Sequence, residues 1–216
     1  MTEGMKLALT AFAVLATVGV ASAQIKPSGQ GYLLRRSFDS KPAVYSWNRA
    51  MTTSVSTFPP MTMEVQTEVV KKSPKSATIK YTVSPRGPKP QVHLVSRDAR
   101  NDGPSPNPLT GIKDVVFPKE AVKIGQKWTS EIVVAELARN PIQVSFQLTG
   151  FKLVDGVKLA NIKGEGYVDR NGTRVWVKGS YAFRVNDGSL QTVSWTQESM
   201  VRAEHTASTV SIARKS

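Results

Sequence analysis

Residues 155–188 read DGVKLANIKGEGYVDRNGTRVWVKGSYAFRVNDG and decide the fold of this chain. Three turn dipeptides punctuate the stretch and recur every 16 residues: Asp155-Gly156, Asn171-Gly172 and Asp187-Gly188. Asn or Asp followed by Gly favours a two-residue type I′ turn, because both central positions need a positive φ. Between the dipeptides apolar and polar side chains alternate, which is the period of a β-strand and not of a helix. The stretch, and with it residues 141–203, therefore predicts an antiparallel β-meander.

Counting outward from a two-residue turn at Asn171-Gly172 predicts the register of the flanking strands. The predicted opposite pairs are Asp169 with Arg174, Tyr167 with Trp176, Glu165 with Lys178, and Gly164 with Gly179. Charged and aromatic cross-strand pairs contribute about 0.2–1 kcal/mol each and so help to fix the register. Because glycines inside long strands mark bends, we expect the sheet to curve sharply near the two glycines. The apolar phase slips between Leu159 and Ile162, which predicts a bulge there.

The rest of the chain predicts more strands and few other elements. Residues 24–30 are expected to be a flexible start, 97–110 a long loop that is either a surface connection or functional, and 213–216 a frayed basic tail. Strands are predicted at 31–38, 43–57, 61–71, 77–84, 91–96 and 128–134, with an edge strand at 204–212. A corner is predicted at Phe58-Pro59-Pro60, and inward-pointing side chains at Val122 and Ile124.

The predicted fold class is therefore all-β. One domain, residues 31–212, would form a long antiparallel meander that curves into a half-barrel or open barrel. The alternative is a two-layer β-sandwich.

The first 23 residues have the pattern of a secretory signal peptide. Lys6 precedes an apolar run from Leu7 to Val20, and Ala21-Ser22-Ala23 matches a small-x-small cleavage site. The run is too short for a spanning helix, which needs about 20 apolar residues. We predict cleavage after Ala23, which leaves 216 − 23 = 193 residues starting at Gln24. The protein is expected to be periplasmic or extracellular, without a transmembrane span.

The amino-acid composition indicates the cellular compartment and the kind of partner. The 216-residue chain has no cysteine, whereas exported eukaryotic domains often carry disulfides, so a bacterial envelope protein is favoured. The formal net charge of +13 indicates an anionic envelope surface as a partner, or a basic surface that serves solubility alone. The basic residues are dispersed along the chain, so no specific nucleic acid is expected.

The sequence holds no pattern typical of a catalytic or metal site. An HExxH motif, a Walker A loop, a GxSxG elbow and a dinucleotide fingerprint are all absent. The two histidines, His93 and His205, are far apart in sequence, and no local spacing suggests a metal site. Glu165 and Asp169 share a strand face, but each opposes a cation in the predicted register, which favours a structural role. We therefore expect no catalytic residue, no cofactor and no metal.

One group of residues stands out as a candidate binding patch: Trp176, Tyr167, Lys178 and Arg174. Aromatic rings stack on sugars or lipids, and neighbouring cations attract anionic groups. The alternative is ordinary packing, which is also the simpler interpretation of Trp47, Trp128 and Trp195.

The segment FPKEAVKIGQKW, residues 117–128, begins a second pattern. An FP-x(3)-V-x-I-G-x-x-W segment is followed by TGF-x(3)-DG and by a hairpin with Phe183, Asp187, Gly188 and Leu190. This combination resembles a family of exported bacterial β-rich proteins of unknown function, over residues 31–202 and most closely over 117–191. The resemblance implies an antiparallel β fold and an envelope location, and it supplies no catalytic residues. More loosely, a long curved meander in a basic exported protein is similar to the half-barrel of periplasmic lipoprotein carriers.

Three function classes follow from the sequence. The first is a non-catalytic envelope protein that binds a lipid or another apolar or amphipathic ligand in the concave face of the sheet. The second is a structural or adhesive module that binds anionic envelope polymers. The third is a hydrolase, for which the sequence shows no convergent polar residues. The sequence leaves the ligand and the oligomeric state open.

Overall fold

The computed structural model describes residues 25–35, 42–73, 76–84, 91–96, 115–133 and 141–215. Secondary structure in these ranges is entirely β, which confirms the predicted fold class. The strands are β1 Ile25–Ser28, β2 Gly31–Leu34, β3 Ala43–Thr53, β4 Thr57–Lys72, β5 Ser76–Ser84, β6 Gln91–Ser96, β7 Lys127–Val133, β8 Pro141–Val154, β9 Val157–Arg170, β10 Thr173–Arg184, β11 Leu190–Val201 and β12 Glu204–Arg214.

Ten of the described strands form one antiparallel sheet in the order β6-β5-β4-β3-β12-β11-β10-β9-β8-β7. The sheet consists of two meanders, β3 to β6 and β7 to β12, which join where β12 pairs with β3. Its outermost strands, β6 and β7, each pair on one side only, so the sheet is open, as the half-barrel prediction requires. The prediction of an edge strand at 204–212 is wrong: β12 pairs with β11 on one side and β3 on the other.

Two of the three predicted turns have the expected geometry. Asp155 and Gly156 have φ of 49° and 75°, and Asn171 and Gly172 have φ of 51° and 75°, as a type I′ turn requires. The third turn is longer, since β10 ends at Arg184 and β11 begins at Leu190. There the Asp187 carboxylate accepts hydrogen bonds from the backbone N–H and the hydroxyl of Ser189, at 2.9 and 2.6 Å. This local side-chain bonding stabilises a wider loop in place of a two-residue turn.

The predicted register around Asn171-Gly172 is confirmed at all four pairs, including Gly164 opposite Gly179. The predicted bulge lies on the neighbouring strand instead. Strand β9 runs without interruption against β10, whereas its pairing with β8 shifts between Leu148 and Gly150. The extra residue, Thr149, therefore lies opposite the place where the apolar phase of β9 slips.

The prediction of a corner at Phe58-Pro59-Pro60 is wrong. The chain turns earlier, at residues 54–56, where the Thr53 N–H donates to the Ser56 carbonyl at 2.7 Å. The prolines lie inside β4, opposite a register shift between Arg49 and Met51 of β3. Proline has no N–H to donate, and an irregular pairing of this kind is where a strand accepts it.

The start of the described chain forms a separate hairpin. Strand β1 pairs with β2, so the expected flexible start at 24–30 contains a strand, and the strand predicted from Gly31 ends at Leu34. Ile25 and Leu34 are fully buried, which explains why this short segment is ordered. At the other end β12 continues to Arg214, inside the predicted basic tail, and the Lys215 N–H donates to the Val44 carbonyl at 2.8 Å.

One face of the ten-stranded sheet carries the core, and we call it the inner face. Its buried side chains alternate along β5 and over much of β8 and β11, as the period-2 pattern predicts, whereas β4 has Val65 as its one buried residue. The largest fully buried ones on strands β7 to β12 and β4 are Trp195, Phe146, Ile132, Ile142, Leu148, Ile162, Ile212 and Val65. Gly164 and Gly179 lie on this face beneath rings: a Cβ on Gly179 would lie 2.1 Å from the Trp195 Cε3, and one on Gly164 would lie 2.7 Å from the Phe146 Cε1.

The segment that precedes β7 packs on the inner face. Phe117 contacts the Phe183 ring edge-on at 5.1 Å between centroids, and the indole N–H of Trp128 donates to the Val116 carbonyl at 2.9 Å. Val122 is buried as predicted, but Ile124 is 51% exposed, so its predicted inward orientation is wrong. Gly125, with φ of 85°, turns the chain after Ile124 before β7 begins.

The predicted signal peptide at 1–23 and the predicted loop at 97–110 lie outside the described residues.

Candidate functional site

Both faces of the sheet carry a candidate binding feature. On the inner face it is a short polar strip within the core, made of Trp195, Gln197 and Ser199, which alternate along β11. All three are buried, at 1%, 7% and 4% exposure. Among the described residues, neither Gln197 nor Ser199 has a side-chain hydrogen bond, and the Trp195 indole N–H is buried without an acceptor. A polar group buried without a partner costs stability, so this strip lacks an acceptor for the Trp195 indole N–H.

A second part of the strip comes from the strands next to β11. Gln197 of β11 lies opposite Ser208 of β12. Trp195 lies opposite Val210 of β12, and Val210 in turn lies opposite Arg49 of β3. The Arg49 Nε donates to the Ser208 hydroxyl at 3.0 Å. This arrangement places the Arg49 guanidinium, a cation with five N–H donors, beside the buried polar groups.

The inner face is covered at its other end by the β1–β2 hairpin and the segment 115–124. Tyr32 and Val122 exchange two backbone hydrogen bonds at 2.7 and 2.9 Å, and the Tyr32 ring packs on Phe151 at 4.6 Å. Arg35 donates to the carbonyls of Pro118 and Lys119 at 3.0 and 2.9 Å. We call these two segments together the cover. One of the backbone bonds between the cover and the sheet, from the Ile25 N–H to the Val185 carbonyl, is 3.4 Å long.

On the opposite, outer face two grooves run together across β7 to β12. One of about 340 Å³ has Lys127, Lys163, Lys178 and the backbone of Gly164 and Gly179 in its lining. The other, of about 710 Å³, is lined by Tyr167, Trp176, Glu198, Met200 and His205, among others. The two share Glu165, Lys178 and Thr196, so they form one continuous depression, which we call the outer groove.

An exposed aromatic pair forms one end of the outer groove. The rings of Tyr167 and Trp176 lie 5.1 Å apart at 33°, and the residues are 50% and 38% exposed. The Tyr167 hydroxyl donates to the Asp169 carboxylate at 3.2 Å, and the Arg174 Nε donates to the same oxygen at 3.0 Å. Partial desolvation raises the pKa of Tyr167, the charge and hydrogen bond of Asp169 raise it further, and Arg174 opposes the shift. The phenol therefore stays neutral at physiological pH.

Lysines form the other end of the outer groove. Lys127, Gln147 and Lys163 are consecutive cross-strand neighbours on β7, β8 and β9. Lys127 lies 3.8 Å from the Glu165 carboxylate. Within the described part of the chain, Lys163 and Lys178 have no ion-pair partner, although Lys178 lies opposite Glu165 as predicted. The carboxylate is thus drawn towards Lys127, and two ammonium groups remain unpaired at this end.

The structure brings three of the four residues of the predicted patch to the groove. Tyr167, Trp176 and Lys178 line it, whereas Arg174 is held beside Asp169 at the edge of the aromatic pair. Trp47 and Trp195 are buried, and Trp128 packs on Phe146 with 5.9 Å between ring centroids, so these three contribute to the core.

Sequence reasoning did not find Lys127, because this residue reaches the groove only through the pairing of β7 with β8. It did not find Lys163 either, although β9 flanks the Asn171-Gly172 turn and Lys163 lies opposite Ser180. It also did not find the inner polar strip. The sequence contains a pattern that predicts the strip: Gln197 and Ser199 continue the period-2 phase of Val193 and Trp195, which places their side chains on the inner face.

Three further observations concern metal binding, the histidines and membrane helices. No group of three or more His, Asp or Glu side chains among the described residues is placed to hold a metal ion. His205 lies 3.8 Å from Glu198, in the outer groove, and the side chain of His93 is outside the described atoms. No described helix is long and apolar enough to cross a membrane.

Comparison with known proteins identifies no family for this chain. No protein-family model and no curated protein matches the chain. Among solved structures, the chain is similar to a LolA superfamily protein from Nitrosomonas europaea, with 14% identity over 83% of this chain and 89% of the other and a TM-score of 0.20.

Proposed function

We propose that this protein is a non-catalytic, exported envelope protein that binds an amphipathic ligand on the inner face of its sheet. The observation that carries the proposal is the buried indole N–H of Trp195, which has no acceptor and lies on the same strand face as the unpartnered Gln197 and Ser199. A ligand with polar acceptors and an apolar chain would satisfy these groups and pack on the surrounding apolar side chains.

The charge and position of Arg49 fit an anionic head group. Its guanidinium is part-buried and bonded to Ser208, and a charge-assisted hydrogen bond to a carboxylate or phosphate is about twice as strong as a neutral one. The indole N–H of Trp47, also buried without an acceptor among the described residues, lies two positions earlier on β3. The ligand would thus meet polar groups from β3, β11 and β12.

Access to the inner face would require movement of the cover. The hairpin β1–β2 is a separate two-stranded sheet, and the ten-stranded sheet remains hydrogen-bonded without it. A displaced cover would therefore expose apolar side chains without breaking the strand pairing of the main sheet.

The test is native mass spectrometry of the protein purified gently from its own envelope fraction. A reproducible mass excess that resolves into an amphipathic molecule would support the proposal. Trp195→Phe keeps the ring but removes the N–H, and it should reduce the retained fraction by roughly tenfold, the loss expected for one buried hydrogen bond of about 1.4 kcal/mol. Trp176→Phe, on the outer face, is the matched control and should retain the ligand. A bare polypeptide mass for the unaltered protein would count against the proposal.

The same spectra test the predicted export. A polypeptide mass that begins at Gln24 would show cleavage after Ala23, and a mass that includes residues 1–23 would contradict it.

A further inference from the structure

The outer groove is a second binding site, independent of the inner face because it lies on the opposite side of the sheet. We propose that it binds an acidic saccharide, such as a segment of an anionic envelope polymer, with a sugar ring stacked on Tyr167 and Trp176 and an acid group held by the lysines. Nothing in this proposal depends on a ligand at the inner face.

The aromatic end has the geometry of a sugar platform. Tyr167 and Trp176 are cross-strand neighbours, and both keep a large exposed area although their rings are in contact. The C–H face of a pyranose is apolar and packs on such rings, whereas its hydroxyls need polar neighbours. Glu198, Glu165 and Thr196 line the groove beside the rings and offer these partners.

The lysine end selects for an anion. Lys163 and Lys178 have no ion-pair partner within the described ranges, and Lys127 has a single contact, at 3.8 Å. The hydroxyls of Ser145, Ser180 and Ser194 line the same end. Lys163 and Tyr167 are four residues apart on β9, so the two ends are separated by roughly 13 Å along the strand. A short oligosaccharide can reach from one to the other.

The distribution of charge favours an acidic saccharide over a nucleic acid. Glu198 lies at the aromatic end with His205 beside it. Glu165 lies between the two ends, 3.8 Å from Lys127. A nucleic acid has a phosphate on every unit and would bring some of them against these carboxylates. A saccharide can present neutral rings to the aromatic end and its acid group to the lysines.

The test is isothermal titration calorimetry of the mature protein with a hyaluronan oligosaccharide, in which carboxylated and neutral sugars alternate. A neutral malto-oligosaccharide, phosphatidylglycerol vesicles and a short oligothymidylate are titrated in parallel. We expect the hyaluronan oligosaccharide to bind, with affinity that falls as salt is raised. Binding that is equal for the neutral sugar, or that is seen only with the vesicles or the oligonucleotide, would overturn the proposal, as would no binding at all.

Variants locate the site. Trp176→Ala should weaken binding of the hyaluronan oligosaccharide roughly three- to tenfold through loss of the stacked ring. The double variant Lys163→Gln with Lys178→Gln should weaken it about fivefold or more, since two unpaired cations are removed. The matched control, Lys71→Gln with Lys152→Gln, removes the same charge from exposed positions on β4 and β8 that do not line the groove. An equal loss in the control would show general attraction to a basic protein and would overturn the assignment. All four lysines are exposed, so these variants are expected to fold.

Discussion

At the scale of single residues, the inner face depends on glycines that lie beneath aromatic rings. Gly164 and Gly179 are cross-strand neighbours, and the rings of Phe146 and Trp195 occupy the space where their side chains would be. A glycine in a strand interior costs backbone entropy and packs nothing. Here the cost is offset because a large ring from the adjacent strand covers the glycine and is itself fully buried.

Gly179→Ala tests this arrangement. The new Cβ would lie 2.1 Å from the Trp195 Cε3, and a buried ring has no free direction in which to move. Overpacking of this kind should lower the free energy of unfolding by about 1–3 kcal/mol, measured by urea denaturation. Ser180→Ala, the next residue on the outer face, should change it by less than about 0.5 kcal/mol. Equal stability of the two variants would show that the ring contact is unimportant.

Asp169→Asn tests the electrostatics of the aromatic pair. Without the carboxylate, desolvation still raises the pKa of Tyr167, but two contributions that raise it are removed and the opposing effect of Arg174 remains, so the pKa should fall. The measurement is a pH titration of ¹³C-labelled tyrosine by NMR, with Tyr167→Phe to assign the signal. Asp155→Asn, in a distant turn, is the control. An unchanged titration in Asp169→Asn would contradict the assigned cause.

The direction in which the pKa of Tyr167 is shifted also determines how this residue contributes to stability as pH changes. The folded-state pKa lies above the ordinary value of 10.0, so the unfolded chain loses the phenol proton first as pH rises. The contribution to stability is complete below that value and is lost as pH rises through the folded-state pKa. Near neutrality the contribution is therefore present in full and does not vary with pH.

At the scale of elements, the hairpin turns decide how the strands are joined. The turn between β11 and β12 has the same positive φ pattern as the Asp155-Gly156 and Asn171-Gly172 turns, but its residues are Arg202 and Ala203, with φ of 48° and 70°. Side chains with a Cβ are strained in this region by about 1–2 kcal/mol per residue. The register of β12 on both neighbours holds the turn in place despite the strain.

Ala203→Gly should therefore stabilise the protein. Glycine adopts the observed φ without steric cost, although it is more flexible in the unfolded chain, and the net gain should be about 0.5–1 kcal/mol in urea unfolding. Ala207→Gly, within β12, is the comparison and should destabilise by a similar amount. A loss of stability in Ala203→Gly would mean that the turn is not of the type I′ form.

At the scale of the whole molecule, the cover packs on the inner face, and its hairpin is a sheet separate from the ten-stranded one. The contact that joins the two parts of the cover is very close, since a Cβ on Gly31 would lie 2.9 Å from the Val122 carbonyl oxygen. That oxygen belongs to the backbone and accepts the Tyr32 N–H, so it cannot move aside at low cost.

Gly31→Ala should detach the hairpin from the segment 115–124 and leave the ten-stranded sheet in place. We expect faster amide hydrogen exchange at Tyr32 and Val122, and unchanged exchange in β10 and β11, measured by mass spectrometry or NMR. Gly29→Ala is not a suitable control, because Gly29 has a φ of 57°. Tyr32→Phe, which keeps the ring and the backbone, is the matched control. Loss of protection throughout the sheet would show that cover and sheet unfold together.

The local features of the fold follow from the amino-acid sequence. Alternation fixed the strand type, Asp155-Gly156 and Asn171-Gly172 fixed two turns, and the count from the second turn gave the partners of Gly164, Tyr167 and Asp169 correctly. These predictions of strand type, turns and register are correct because a two-residue turn has one backbone geometry and the side-chain period of a strand is two. The same locality explains why Tyr167, Trp176 and Lys178 were recognised as neighbours.

The contacts between distant segments, by contrast, depend on the tertiary structure. Strand β12 has an ordinary sequence, yet it lies at the centre of the sheet because it pairs with β3, more than a hundred residues away in the chain. Lys127 reaches the outer groove through β7 and β8, and the Arg202-Ala203 turn follows from register without any glycine signal. Pairings of this kind depend on the summed burial of whole strands, which no short sequence pattern contains.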